Sequence, residues 1–313
     1  MFRLVSLGIV SALFFSSTFI LNRAISLDGG HWFWTAALRY AWMLTLLVTW
    51  LLLSGKFGWL TQTLKIFKKN WFFWILTGST GFGLFYTLIS FSASYAPGWV
   101  VATTWQTTIL ASPLILLLFG KKIPGKAIIY IFIISIGILL VNLGMSESIS
   151  PRDLLLGGLP VLIAAFAYPL GNQMLWEAQR NGTKYIPRIN DPLLNNPFIR
   201  VLLLTLGTIP FWLVLYAIIT PPLPSTGQFI NTGLVALFSG IIATSLFLHA
   251  RHQASNSYEI AAIDSTQSSE VVFSLLGEIL FLNGLLPGLS SSIGIILTVC
   301  GLVFYMKSQT ISR

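Results

Sequence analysis

The chain has 313 residues, of which 18 are Lys or Arg and 9 are Asp or Glu, so that 9% is charged and 55% is hydrophobic. A soluble chain carries about 25% charged residues, which excludes an array of soluble domains and leaves a polytopic membrane protein. The net charge of +9 does not point to nucleic acid, because the basic residues fall in short segments between apolar tracts. The single cysteine, Cys300, lies inside the last tract and excludes an intrachain disulfide or a cysteine-rich metal site.

The first apolar tract, from Leu4 to Leu21 after Arg3, mimics a signal peptide. It lacks a small-x-small cleavage site and is followed by many similar tracts, so it is expected to remain as the first span. A crossing takes about 20 residues. The charge-free stretch 70–120 therefore holds two spans, hinged at Ser94-Tyr95-Ala96-Pro97, and 201–250 holds two more. The predicted helices are 4–22, 32–54, 71–93, 98–119, 127–143, 154–176, 197–219, 231–250, 258–282 and 287–306. With the N-terminus inside, the inner segments hold all of the Lys and Arg residues except Arg23, Arg152 and Arg39. By the positive-inside rule both termini are cytoplasmic, in a multi-pass protein of the plasma membrane.

A shift of about 150 to 160 residues brings out a repeat. Gly8 precedes Asn22 by fourteen residues, as Gly158 precedes Asn172. Thr18 then meets Tyr168, Arg39 has a counterpart in Arg200, and Ser94-Tyr95 aligns with Ser257-Tyr258, setting Tyr86 opposite His249. Each half, 1–150 and 151–313, has an odd number of spans, so the second enters the membrane upside down. The expected fold is all-α, ten transmembrane helices in two inverted five-helix repeats, an arrangement suited to transport. Chance alignment of apolar helices is the alternative.

Ser16-Ser17-Thr18-Phe19 with Asn22 in span one, Leu38-Arg39-Tyr40 in span two, and Tyr95-Ala96-Pro97 before a Thr-rich span four resemble the drug/metabolite transporter superfamily. The likeness is to its ten-helix EamA-like members, closest to the multidrug-resistance efflux branch. It covers nearly the whole chain and implies secondary transport. Where EamA-type members commonly carry Glu-Pro in span nine, this chain has Glu270-Val271. That leaves Pro113 in span four as a source of a kink.

A charged side chain in hydrocarbon costs from about 2.5 kcal/mol upward, so such residues should face a cavity or each other. In span nine, Asp264, Gln267, Ser268, Glu270, Ser274 and Glu278 fall on one helical arc, and Val272, Phe273, Leu276 and Leu280 on the other. Glu270, near mid-membrane, is the candidate coupling carboxylate, because a carboxyl group removed from water holds a proton near neutrality. Its alternative is a structural acid paired with Arg39 or Arg200, or bonded to the polar residues of span four. Asp264 and Glu278, nearer the ends, and His249 are further proton-coupling candidates.

For substrate, Asn22 and Asn172 are candidate pathway residues related by the repeat, with Gln106 and Gln267. Tyr86, Trp105 and Tyr168 are a candidate aromatic wall for an organic cation. Ser11, Ser16, Gly78, Gly81 and Gly83 read as close helix contacts, and Trp32, Trp34, Trp59, Trp71 and Trp99 as interface anchors. Arg39 reads as structural, snorkelling or binding helix-end carbonyls, with receipt of an anionic substrate as the alternative.

No phosphate-binding Gly-x-x-x-x-Gly-Lys-Ser/Thr loop and no His-Glu-x-x-His site appear, so neither a cofactor nor a metal is expected, and the chain does not read as an enzyme. The function expected is secondary active export of a small cationic or amphipathic compound in exchange for protons, by alternating access. An amino-acid or metabolite permease, importing or exporting, is the alternative within transport, and an intramembrane lipid-handling enzyme or scaffold the alternative outside it. The partners are the bilayer, the substrate and protons; a homodimer is left open.

Overall fold

The computed structural model describes residues 2–120, 127–145, 150–180, 182–253, 259, 263, 266–284 and 286–311. Among them every regular element is helical. We number the main helices α1 (Phe2–Leu27), α2 (Trp32–Leu53), α3 (Phe57–Lys69), α4 (Trp71–Ser92), α5 (Gly98–Leu118), α6 (Ala127–Met145), α7 (Pro151–Arg180), α8 (Pro197–Ile219), α9 (Thr226–Phe247), α10 (Ser269–Leu282) and α11 (Leu289–Ile311). Hydrocarbon offers the backbone no partners, so each crossing segment must satisfy its own amides, and helices result. Seven helices, α1, α2, α4, α5, α7, α8 and α9, are long and apolar enough to cross a bilayer. α6 and α11 contribute shorter apolar stretches, Phe132–Gly144 and Leu289–Tyr305, and α10 has 14 residues. α3, with Lys68 and Lys69 in its last turn, is amphipathic and was not among the expected spans.

Local chemistry sets the ends. His31 caps α2 by accepting the Phe33 amide, Asn196 caps α8 by accepting that of Phe198 ahead of Pro197, and Ser225 caps α9 by accepting that of Gln228. Several spans are irregular within. α4 loosens to a π-helix over Ser79–Leu84, and α9 does so over Ala236–Ala243. α5 tightens at Gln106, whose amide bonds to the Thr103 carbonyl. The interruption of span four therefore sits at Gln106, seven residues before Pro113, which continues the helix Thr107–Leu118. Span nine is interrupted without a proline: a 3-10 turn, Thr266–Ser268, precedes α10.

α1 packs against α9, α10 and α5; α7 packs against α4 and α5; α2 contacts α9, α8 and α4; α8 contacts α4; α5 meets α10, and α6 lies along α11. Lipid tails are as apolar as leucine, so close van der Waals fit supplies the attraction. Glycines provide it: Gly81 faces Gly171 between α4 and α7, Gly78 faces the Leu204 carbonyl and Gly207 that of Trp74 between α4 and α8, and Gly137 faces the Gly294 carbonyl between α6 and α11. The segment between α7 and α8 buries Ile186 and Ile189 against a cluster that includes Ile66 of α3 and Trp74 of α4.

Candidate functional site

The bundle encloses a cavity of about 770 Å³, within the range of small-molecule sites. α1, α2, α4, α5, α7, α8, α9 and the start of α10 all contribute to its wall. Six of the residues expected to bind substrate or couple protons line it: Trp105, Gln106, Tyr168, Asn172, Gln267 and Glu270.

Aromatic rings form one side. Phe85 lies between Trp105, at 4.8 Å, and Tyr168, at 5.0 Å, and those two rings are 5.6 Å apart. Tyr40 stacks on Phe82 and donates its hydroxyl to the Phe82 carbonyl at 3.1 Å. Phe82 sits in the π-helical part of α4, where the regular hydrogen-bond ladder is disturbed and a carbonyl can serve an outside donor. Of the polar run in α5, Thr103 bonds back to the Trp99 carbonyl and Thr104 accepts from Asn142 of α6; Gln106 and Thr108 reach the cavity.

Glu270, 7% exposed, stands in the first turn of α10. It forms no ion pair with a described residue, so the pairing with Arg39 or Arg200 is not among the contacts present. The buried face of α10 carries Glu270, Ser274 and Glu278, while Val272, Leu276 and Leu280 are exposed. Arg39 lies on the same cavity. Its guanidinium sits 4.0 Å above the Tyr86 ring, and its Nη2 donates to Ser239 in the π-helical part of α9 at 3.2 Å. Among the described residues no hydrogen bond runs from Arg39 to a helix-end carbonyl.

The remaining predicted residues lie elsewhere. Tyr86 is fully buried and donates to Asn22 Oδ1 at 3.0 Å; neither lines the cavity, and Tyr86 serves it by carrying Arg39. Glu278 accepts the Trp99 amide at 3.2 Å and lies 4.0 Å from Arg23 Nε, and Arg23 in turn donates to the Ala93 carbonyl at 2.9 Å. His249 is exposed beside Gln253, so the repeat's pairing of Tyr86 with His249 joins two unlike environments. Asp264 lies outside the described residues. Trp99, expected as an interface anchor, is 2% exposed and belongs to the core: its backbone amide, held by Glu278, starts α5 inside the bundle.

Sequence reasoning missed Phe82, Phe85, Trp176 and Ser239 as cavity residues. Phe and Trp abound in this chain, so residue type carried no signal. The isolated basic residue in span two did carry one, since intramembrane charges usually face a cavity. Among the described residues no group of His, Cys, Asp and Glu could hold a metal ion.

The cavity runs from mid-bundle toward Leu116, Trp176 and Phe247. At the other end the two halves are tied together. Trp34 donates to the Pro222 carbonyl at 2.6 Å, Trp42 to that of Phe229 at 3.0 Å, and Gln228 to the His31 carbonyl and Thr35 hydroxyl at 2.8 and 2.9 Å.

The EmrE family model, described as "Putative multidrug resistance efflux transporter", matches residues 2–311. "Uncharacterized protein YjlA" of Bacillus subtilis (strain 168) is 40% identical over 97% of this chain and 94% of its own. An "Uncharacterized 42.1 kDa protein in intracellular alkaline protease 3'region" of Shouchella clausii is 38% identical over 78% of this chain, which spans 63% of that relative. A solved crystal structure is similar over 98% of this chain and 97% of its own, with a TM-score of 0.61 at 13% identity, a likeness of fold alone.

Proposed function

The chain belongs to the EmrE family of multidrug resistance efflux transporters, a family of transporters and not of enzymes, and from this premise we propose that it is a proton-coupled secondary exporter of small organic compounds working by alternating access. The observation that carries the reading is Glu270, a buried carboxylate with no fixed cationic partner among the described residues, on the wall of a drug-sized cavity. A carboxylate so placed holds either a proton or a cationic group of the substrate, and competition for that one site makes the two fluxes an exchange. Trp105, Tyr168, Gln106, Asn172 and Gln267 shape the cavity around the compound. Asn22 and Tyr86 support it from behind, Glu278 acts in closing the far end, and Asp264 and His249 serve in proton coupling.

Helix pairing supports division into inverted halves at 1–150 and 151–313, ten spans in all. Exchanging α1 with α7, α2 with α8, α4 with α9, α5 with α10 and α6 with α11 turns the α1–α9 contact into α7–α4, α1–α10 into α7–α5 and α2–α9 into α8–α4; all of these occur. It also maps one π-helical segment onto the other. Two equivalent halves have two equivalent packings, and swapping them moves the opening from one face to the other.

With both termini placed on the cytoplasmic side of the plasma membrane, the open end of the cavity faces inward and the tied end outward. The test is flux into proteoliposomes under an imposed pH gradient. Uptake should follow the gradient, and Glu270→Gln should reduce it to the protein-free rate while the protein stays folded. Undiminished gradient-driven flux in that variant removes Glu270 from the coupling role.

A further inference from the structure

Of the described residues that line the cavity, two are charged, and their charges are opposite: Arg39 on α2 and Glu270 on α10. Both line the same chamber, with Tyr168. They are not paired with each other. A cavity built for a cation alone has no use for a guanidinium, which repels the substrate and gives up hydration on entering the bundle.

Arg39 is also under-used as a donor. Its planar head is held from one side by the Tyr86 ring, and Nη2 reaches a neutral hydroxyl, Ser239. Its Nε is buried with no hydrogen-bond partner, and two further buried cavity groups, the Gln267 Nε2 and the Thr18 hydroxyl, are likewise without one. The Nε–Nη edge of a guanidinium matches the two oxygens of a carboxylate. The buried donors thus call for an acceptor, and Glu270, the carboxylate on the wall among the described residues, stands apart.

We propose that Arg39 receives a carboxylate of the substrate, so that the cavity takes aromatic zwitterions, with the anionic group on Arg39, the ammonium toward Glu270 and the ring against Phe85, Trp105 and Tyr168. This rests on the cavity being the transport site proposed above. It adds a consequence that a cation exporter does not share. When one proton enters for each monocation that leaves, the exchange is electroneutral. When one proton enters for each zwitterion, one positive charge moves inward per cycle, and the membrane potential drives export.

The experiment uses two probes that differ in one charge: the N,N,N-trimethyl betaine of phenylalanine and its methyl ester, a permanent cation with the same ring. Their uptake is measured in proteoliposomes of the full chain, with the potential set by a potassium gradient and valinomycin. The wild type should favour the betaine by about tenfold or more, the worth of a charge-assisted bidentate contact, and betaine flux should respond to the potential. Arg39→Gln should remove that preference through a loss confined to the betaine, and Arg39→Lys should restore part of it. Equal loss of both probes in Arg39→Gln would make Arg39 a structural residue and overturn the proposal. So would a wild-type preference for the ester, a comparison that needs no variant and cannot be confounded by misfolding. Transport of the ester alone leaves the exporter standing without the zwitterion; transport of neither overturns both.

Discussion

Tyr86 illustrates how one side chain serves two ends, since its hydroxyl bonds Asn22 and its ring face carries Arg39. Tyr86→Phe keeps the ring and loses the bond. The expected cost in thermal stability in detergent is about 0.5–1 kcal/mol, with substrate preference intact. Tyr86→Ala removes the support of Arg39 as well and should blunt discrimination between charged probes. At His31 the effect of pH can be worked out. The ring accepts the Phe33 amide through Nδ1 at 3.2 Å, which needs the neutral form, and burial holds the imidazole below its usual 6.5. The stabilisation is therefore complete above about pH 6.5 and is lost as pH falls through the lower folded value. The protection factor of the Phe33 amide against hydrogen exchange, taken relative to the intrinsic rate at each pH, should fall on acidification in the wild type. His31→Asn keeps a capping acceptor and should abolish that fall.

Among the elements, α10 was the most legible, because a polar arc facing an apolar one marks its buried side whatever the helix packs against. Its start was not: the 3-10 turn at Thr266–Ser268 has no proline to announce it. α5 misled at its start. Trp99 followed the rule for tryptophans near span ends, yet Glu278 draws the start of its helix into the core. In the Thr-rich run that follows, Thr103 and Thr104 are used within and between helices. The α4–α7 contact gives a direct test of packing. A Cβ at Gly171 would collide with the Gly81 backbone, whereas one at Gly58 in α3 meets nothing within 4 Å. Gly171→Ala is expected to cost about 1–3 kcal/mol in unfolding assays, and Gly58→Ala to be neutral or slightly stabilising.

For the whole molecule, the cavity extends toward Leu116, Trp176 and Phe247, while the opposite end is tied by hydrogen bonds. With Cys300 replaced by Ser, a cysteine at Leu116 or Trp176 should react with a membrane-impermeant thiol reagent applied from the cytoplasmic side and be protected from the opposite side. Glu278→Gln weakens the grip on Trp99 and Arg23 and should raise reactivity from the outer side. Protection from the cytoplasmic side in both cysteine variants would reverse the proposed orientation.

The amino-acid sequence by itself determined that the chain is a helical, multi-pass membrane protein, because hydrocarbon tolerates few charges and no unpaired backbone, and both constraints act locally along the chain. Short motifs likewise carried the family. Only the tertiary structure decided which of many similar aromatic and polar residues share a chamber. A helix's register about its own axis is fixed by its neighbours, and those neighbours are brought together by glycine contacts and π-helical turns that leave little mark on composition. Arg39 depended on this most. Its charge was evident, but its orientation into the cavity arises from the Tyr86 ring on one helix and Ser239 on another, an arrangement that exists only after the two halves of the chain have met.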